Sequence, residues 1–463
     1  MKANKYKMNW PILSVDPLSQ HQVDAVTVAT KKHLGILGGS PGTGKTFTAA
    51  QLALQLGQAI GFDQMAAAAP TGKAAVRLTE AFNAYGIPLT ARTIHSLLGV
   101  VSADGGWSFN HDRSNPLPFK VILLDEASMI DTDLAAAFFA ARARDCLVLM
   151  IGDVNQLPPV GHGAPLRDMI AAGVPYGELR EIKRQQSGDE VHAVIQACAD
   201  IRDGKRFTFQ RELVGVPCFS AETQIDEMFD MINRTSHTMQ LNPVWDCQIL
   251  CAVNKKSELS RTELNKSLQA RLNPNPSQYG SPFRLADKVV NTKNGWYPLV
   301  EHGDRRHSLD DLDHDPNLQL NDDGKCYVAN GELGEVLVVE ANYLHVRLTS
   351  PKRLIVVPRG QSDDDSGDEE GSSTGCNWDL GYALSVHKSQ GSEWPVVIIM
   401  VDDSGGAKRV CSREWLYTAI SRAKRHCYLI GNLEAAQGFC RRTAIDKRKT
   451  FLKERIQQGV KGF

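Results

Sequence analysis

The chain has 463 residues, too many for one core, so two or more domains are expected. Hydrophobic residues make up 42% and charged residues 23%, an ordinary globular mix that excludes fibrous and low-complexity classes. A formal net charge of −1 excludes a basic surface at large, so any nucleic-acid contact must rest on local charge.

The opening residues, "MKANKYKMNWPILSVD", lack the apolar core of a signal peptide, and no run is long enough to span a membrane. The ten cysteines are scattered, with Cys247 and Cys251 the nearest pair and no C-x-x-C. That spacing suggests neither a zinc site nor a disulfide framework and fits a reducing cytosol. From about residue 14 to 180, the runs "HLGILGG", "QMAAAAP", "FKVILLDEA" and "CLVLMIGD" alternate with helical stretches. Each run ends in small or polar residues, the rhythm of a parallel sheet with crossover helices.

After the first strand comes Gly39-x-x-x-x-Gly44-Lys45-Thr46, with Pro41, Gly42 and Thr43 inside it. The helical "FTAAQLALQL" follows. Strand, glycine-rich turn and helix together make a phosphate cradle. The glycines let backbone N–H groups approach the phosphates, and the helix N-terminus adds its positive end. Lys45 is expected to reach the β and γ phosphates and Thr46 to hold Mg2+. Between Gly99 and Lys120 the rhythm breaks, and Asp104-Gly105-Gly106 reads as a small hairpin.

"VILLDEAS" (121–128) places Asp125 and Glu126 at a strand end, about 80 residues after the cradle. Asp125 suits the metal's water shell, and Glu126 suits the base for an attacking water. "LVLMIGDVNQLPPV" (147–160) ends the next strand and offers Gln156, either as a γ-phosphate sensor or as a loop-stabilising amide. The transition state spreads negative charge that planar arginines match. Arg184 in "GELREIKRQQ" and Arg422 in "LYTAISRAKRH" are candidates, although either alone is more often a surface salt-bridge partner.

A second α/β region begins near 184, with "WDCQILCAVN" (245–254) as one strand. From about 284 to 357 short strands take over: "FRLADKVVNT", "GELGEVLVVE", "YLHVRLTS" and "RLIVVP". They read as a small inserted β-barrel, interrupted by acidic stretches at 308–323 and 362–374. The α/β pattern resumes at "GYALSVHKSQG" (381–391). The tail from about 441 reads as a helix carrying Arg441, Arg442, Lys447, Arg448, Lys449 and Lys453, either a solvated basic face or a nucleic-acid contact.

"LSQHQVDAV", "GGSPGTGKT", "APTGKAAVRL", "TIHSLLG", "LLDEASMID", "GDVNQLPPV", "EIKRQ", "YALSVHKSQGSEW" and "LYTAISRAKR" occur in this order over most of 14–431. Together they resemble the ordered motifs of superfamily 1 helicases, and within them the RecD-like and phage Dda-like 5′-to-3′ group. The resemblance implies an α/β fold of two RecA-like P-loop domains, with ATP between them and single-stranded DNA across both. It also implies a short β-hairpin pin on the first and an SH3-like β-barrel inserted in the second. The expected boundaries are 1–183 with the pin at about 99–120, then 184–283, the insert at 284–376, 377–440, and a basic helix at 441–463.

The same resemblance makes Gln22 the reader of adenine, and gives Lys45, Thr46, Asp125, Glu126, Gln156, Arg184 and Arg422 the roles above. It places Gly391 and Glu393 near the nucleotide, and Pro70, Thr71, Lys73, Thr93, His95, His387 and Ser389 on DNA. Single-strand binders combine phosphate-directed donors with aromatic stacking, which suits these types. Trp107 or Phe109 on the hairpin is a candidate wedge; alternatively Trp107 packs the hairpin base. Opening a base-pair step costs about 1.4 kcal/mol, and stacking a base on an aromatic returns roughly 1–3 kcal/mol. A small wedge therefore matches the task.

The chain is shorter than cellular RecD-like proteins and nearer the compact phage form, and the acidic stretches have no counterpart in the group's pattern. The expected function is ATP-dependent DNA unwinding in replication, recombination or repair, with ATP and Mg2+. Expected partners are single-stranded DNA, a duplex fork, and a single-strand-binding or replisome protein, with the chain monomeric, off the membrane, and in the cytoplasm of a bacterial or phage-infected cell. Competing readings are a translocase that remodels nucleoprotein, an RNA helicase, and an NTP-binding interaction protein without hydrolysis. Intact Lys45, Glu126, Gln156 and Arg422 argue against the last.

Overall fold

The computed structural model describes residues 17–103, 106–181, 192–301, 303–315, 318, 320–349, 351–360, 376–448 and 450–459, without side chains at 101–103, 107, 309 and 349. Asp104, Gly105, Arg184, the Trp107 side chain and the acidic stretch 362–374 lie outside that description. The chain divides into two units: Met1–Ile195 with Arg442–Phe463, and Gln196–Arg441.

The first unit runs α1 (Gln20–Ala29), β1 (Leu34–Gly39), α2 (Lys45–Ile60), β2 (Met65–Ala69), α3 (Gly72–Ala84), β3 (Arg92–Thr93), α4 (Ile94–Leu98) and the ribbon β4 (Val100–Ala103) and β5 (Gly106–Phe109). It continues with β6 (Val121–Leu124), α5 (Thr132–Ala141), β7 (Leu147–Gly152), α6 (Pro165–Ala171) and β8 (Tyr176–Leu179). Six strands pair in the order β3-β2-β6-β7-β1-β8, and every pairing is parallel. Successive residues feed opposite faces. Leu37, Ala67, Leu123 and Leu149 join the core under α1, α2 and α3, whereas Ile36, Ala66, Ile122 and Val148 join the one under α4, α5 and α6.

The β2 sequence "MAAAA" has weak strand propensity, yet all five residues are buried. Its neighbours β3 and β6 hold it, so packing overrides local preference. Gly35 is required for another reason: a Cβ there would lie 1.6 Å from the Ala29 carbonyl oxygen, so its absence lets α1 settle against β1. The ribbon β4–β5 is antiparallel, pairing Val100 with Phe109 and Ser102 with Trp107.

The second unit carries α7 (Ala193–Arg202), which starts just before its boundary, then β9 (Leu213–Pro217), α8 (Ala221–Met239), β10 (Cys247–Cys251) and α9 (Arg261–Leu272). Next come β11 (Lys288–Asn291), β12 (Gly295–Tyr297), α10 (Leu309–Leu312), β13 (Cys326–Val328), β14 (Leu333–Val339), β15 (Tyr343–Thr349), β16 (Lys352–Pro358) and β17 (Trp378–Leu380). It ends with β18 (Ala383–Ser385), β19 (Trp394–Val401), α11 (Gly405–Val410), α12 (Arg413–Ile420), β20 (Ala423–Gly431) and α13 (Leu433–Phe439).

A parallel sheet, β18-β10-β19-β20-β9, forms the base of this unit. A second, antiparallel sheet has the order β16-β15-β14-β11-β17, beside the β12–β13 ribbon. The chain enters the second sheet by β11 and leaves by its neighbour β17, as an insertion between β10 and β18 must. One continuous core joins both sheets, from Ile249 and Ile398 to Val346 and Trp378. The acidic stretch at 308–323 is partly neutralised: Asp311 accepts from Arg347 at 2.6 Å and Asp310 from Lys352 at 2.8 Å.

After α13 the chain returns to the first unit. The tail departs from the single helix expected from 441: among its described residues, only α14 (Leu452–Gln457) is α-helical, preceded by one 3-10 turn at Ile445–Lys447. The carbonyls that a continuous helix would use are taken, because Arg167 donates to Ile445 O and Arg448 O. Leu452 and Ile456 pack onto the core beside α6. Among the described residues, no helix is long and apolar enough to cross a membrane.

Candidate nucleotide site and nucleic-acid face

Parallel strands bring their C-terminal ends to one edge, where ligands of such sheets bind. In the first unit that edge gathers the loop 39–46 after β1, Pro70 to Lys73 after β2, Thr93 and His95 after β3, Asp125 and Glu126 after β6, and Gln156 after β7.

The phosphate loop is built for close approach. Gly42 and Gly44 both have φ of 80°, the left-handed region that favours glycine, and Gly44 is the cap of α2. Thr43 is buried and its Oγ1 donates to Ser40 O at 2.7 Å. Lys45 Nζ donates to Gly39 O at 2.7 Å and Ser40 O at 3.2 Å, while Thr46 is exposed one residue on. Pro41 is half-buried in the same turn.

Asp125 accepts from the Glu126 backbone N–H at 2.9 Å. Burial and the adjacent Glu126 charge push its carboxyl far above the ordinary carboxylate range, against the pull of Lys45 and Arg77. Glu126 has φ 48°, an uncommon left-handed state for a non-glycine residue and a recurrent feature of functional sites. Gln156 is 4% exposed, and its Oε1 has no hydrogen-bond partner among the described residues. A buried unpaired acceptor costs about 1–3 kcal/mol, so this oxygen is a candidate for a bound partner.

Gln22 is differently placed from a free base-reader. Its side chain is 2% exposed, Oε1 accepts from Ser19 N–H at 3.0 Å, and Nε2 donates to Thr48 Oγ1 at 3.0 Å. It closes a capping box on α1 and ties that helix to α2. Thr48 was not singled out in the sequence, and neither was Arg77, whose charge acts on Asp125. Arg77 lies one helical turn after Lys73 on α3, a spacing that does mark it.

Thr71 and Thr93 cap α3 and α4, accepting from Ala74 N–H at 3.2 Å and Ser96 N–H at 3.0 Å. Pro70, Thr71, Lys73 and Thr93 are half-buried and His95 is exposed. The His95 ring stands 6.0 Å from that of Phe109. Phe109 sits at the ribbon base, opposite Val100, partly buried against the core under α4. Its ring is therefore an anchor of the ribbon and not a tip.

In the second unit, Gly391, Glu393, His387 and Ser389 lie between β18 and β19. Gly391 has φ 74°, and Glu393 and His387 are half-buried. Ser389 is fully buried and its Oγ donates to Val386 O at 2.8 Å, so the hydroxyl holds its own turn. Arg422 is buried, and its guanidinium donates to Thr418 O, Ser421 Oγ and Ser392 O.

Residues 17–212 match the AAA domain family, and residues 380–430 match the UvrD-like helicase C-terminal domain. The ATP-dependent RecD2 DNA helicase of Deinococcus radiodurans is 30% identical over 95% of this chain and 52% of its own length. This chain thus spans about half of that relative. The RecBCD enzyme subunit RecD of Buchnera aphidicola subsp. Schizaphis graminum is 30% identical over 89% of this chain and 72% of its own. A solved structure of Bacteroides Pif1 helicase with ADP-AlF3 and ssDNA covers 89% of this chain and 92% of its own at 18% identity, with TM-score 0.48. That likeness is too distant to carry a role to any residue.

Proposed function

Because the chain belongs to the RecD-like family of superfamily 1 helicases, we propose that it is an ATP-dependent DNA helicase that moves 5′ to 3′ on single-stranded DNA. The observation that carries this reading is the shared sheet edge of the first unit. The phosphate loop, Asp125, Glu126 and Gln156 stand there beside Thr71, Thr93 and His95. Chemistry and polymer contact then belong to neighbouring loops of one sheet edge, which couples them.

The residues fit a Mg2+-nucleotide. Two left-handed glycines open the loop, a lysine and a helix N-terminus face it, and Gln156 offers a buried unpaired amide oxygen. Thr46 and Asp125 would hold the metal, which when bound neutralises charge on the phosphates. Lys45 releases its loop carbonyls for the phosphate oxygens. Glu126 takes the proton of the attacking water, which adds to the γ phosphorus as the bond to the β-bridging oxygen breaks. Gln156 orients that water, and Arg184 and Arg422 match the developing charge.

The DNA roles of Pro70, Thr71, Lys73, Thr93, His95 and His387 rest on the family motifs, as do the nucleotide roles of Gln22, Gly391 and Glu393. We assign the β4–β5 ribbon as the pin that meets a fork, Trp107 as its wedge, and the inserted sheet as an SH3-like domain. Partners would be a fork and a single-strand-binding or replisome protein, for a cytoplasmic monomer. The test is ATP turnover with and without single-stranded DNA, beside unwinding of 5′-tailed and 3′-tailed duplexes. DNA stimulation with opening of the 5′-tailed duplex alone supports the reading. Stimulation without opening indicates a translocase, and stimulation by RNA alone moves the substrate.

A further inference from the structure

The inserted β-sheet carries a group of side chains that the helicase reading does not use. His345 is central to β15 and 3% exposed. Its Nδ1 lies 2.7 Å from Nε2 of His307, and 4.0 Å from Oδ2 of Asp304. One ligand atom from each of the three residues falls within 4.8 Å of the others. His307 and Asp304 sit on the turn that precedes α10, so the group joins a loop to a strand.

We propose that Asp304, His307 and His345 form a binding site for a borderline divalent cation of the zinc class. Two imidazole nitrogens and one carboxylate are the donor set that such ions take, with a fourth position left for water. The ring nitrogens already converge. Between two neutral imidazoles at that distance, one nitrogen must carry a proton. On binding, that imidazole takes its other tautomer, the proton moving to the ring nitrogen that faces away, and each facing lone pair goes to the ion with no net proton release. Ligands about 2.0–2.1 Å from a tetrahedral ion stand about 3.3–3.4 Å apart. Seating one therefore parts the rings by roughly 0.6 Å, which the turn holding His307 accommodates while the strand fixes His345.

The surrounding contacts support the carboxylate's orientation. Arg306 donates to Asp304 Oδ1 at 2.9 Å and to Oδ2 at 2.6 Å, holding it as hydrogen-bonded ligand carboxylates are held. Arg306 is itself offset by Glu340 at 3.3 Å and donates to the Tyr343 hydroxyl oxygen at 3.0 Å. Tyr343 stacks on His345 at 5.2 Å, which fixes the ring plane. The ion would fasten the 304–312 turn, and with it Asp310 and Asp311, to the sheet.

The test uses the untagged full chain, stripped with chelator and titrated with Co2+ and then Zn2+. The expected result is about one equivalent bound, with weak visible bands of nitrogen and oxygen ligation that Zn2+ removes. His307→Ala should abolish them, and Asp304→Asn should weaken binding by at least about tenfold. His307 is half-buried on a turn, so its loss should leave the fold intact; an unchanged melting curve verifies this. His345→Gln serves as the second variant, and its loss of binding is expected too. Absence of binding overturns the site. So does an intense thiolate band, since ten buried cysteines offer an alternative, or binding that survives His307→Ala.

Discussion

Gln22 Nε2 donates to Thr48 Oγ1 over 3.0 Å, and that bond joins the first helix to the helix that follows the phosphate loop. The glutamine expected to read adenine is thus also a structural tie. Gln22→Ala should lower stability by about 1–3 kcal/mol, because Ser19 N–H loses its acceptor. It should also flatten the preference for ATP over GTP. Thr48→Val breaks the tie together with the Thr48 Oγ1 bond to Gly44 O, and should destabilise while leaving that preference. Nucleotide competition beside thermal melts separates the two, and an unchanged preference in Gln22→Ala refutes the base-reading role.

Asp125 is raised by burial and by the Glu126 charge. For an acid with a raised folded pKa, the folded state binds more protons than the unfolded one. Its contribution to stability is therefore present at low pH and lost as pH rises through the folded value. Asp125→Asn should raise stability at pH 8 by on the order of 1 kcal/mol, read as a higher melting temperature, and by less at pH 4, while ATP hydrolysis falls steeply. A variant less stable at pH 8 than the parent would contradict the assigned strain.

The parallel sheets, the phosphate loop and the Asp125-Glu126 pair were legible because each is written in contiguous residues. Local patterning also foresaw β11, β14, β15 and β16. What was not legible depends on distant partners. Nothing in "VHKSQG" announces that Ser389 is spent on the Val386 carbonyl. The tail's composition reads as a basic helix, but Arg167, some 280 residues earlier in sequence, takes the carbonyls that a helix needs. The ribbon was visible in its glycines, whereas the burial of Phe109 at its base was not, since it depends on the core under α4.

Among the described residues, Lys45 donates to two carbonyls of its own loop. Lys45→Ala should therefore abolish hydrolysis and largely spare single-strand binding. In the same binding assay the log–log salt slope should be about −0.7 per phosphate neutralised. Filter binding across salt reads both. A flat profile would rule out a backbone-tracking groove, and lost binding with intact turnover would reverse the assignment.

The ribbon separates the roles of its two aromatics. Phe109 is packed at the base against the core, so Phe109→Ala should cost stability by about 1–3 kcal/mol. Trp107 pairs with Ser102, nearer the turn. Trp107→Ala should slow unwinding of a tailed duplex with little change in DNA-stimulated ATPase. A Trp107→Ala protein that unwinds at the parent rate would remove the pin.

Arg448 donates to the carbonyls of Gly161 and Gly163, and Thr450 to buried Asp168, so the tail holds the loop that follows Gln156. Arg167 grips the tail in return through Ile445 O and Arg448 O. A sensor amide works only if its loop keeps its place, since small displacements of positioning groups cost rate steeply. Arg448→Ala should leave two carbonyls without that donor, destabilise the first unit by about 1–3 kcal/mol, and lower ATP turnover more than it changes nucleotide affinity. Arg448→Lys keeps the charge but not the planar fork, and should recover only part of the loss. Steady-state kinetics with thermal melts decide this. If both variants melt and turn over like the parent, the tail is packing alone and the sensor loop stands without it.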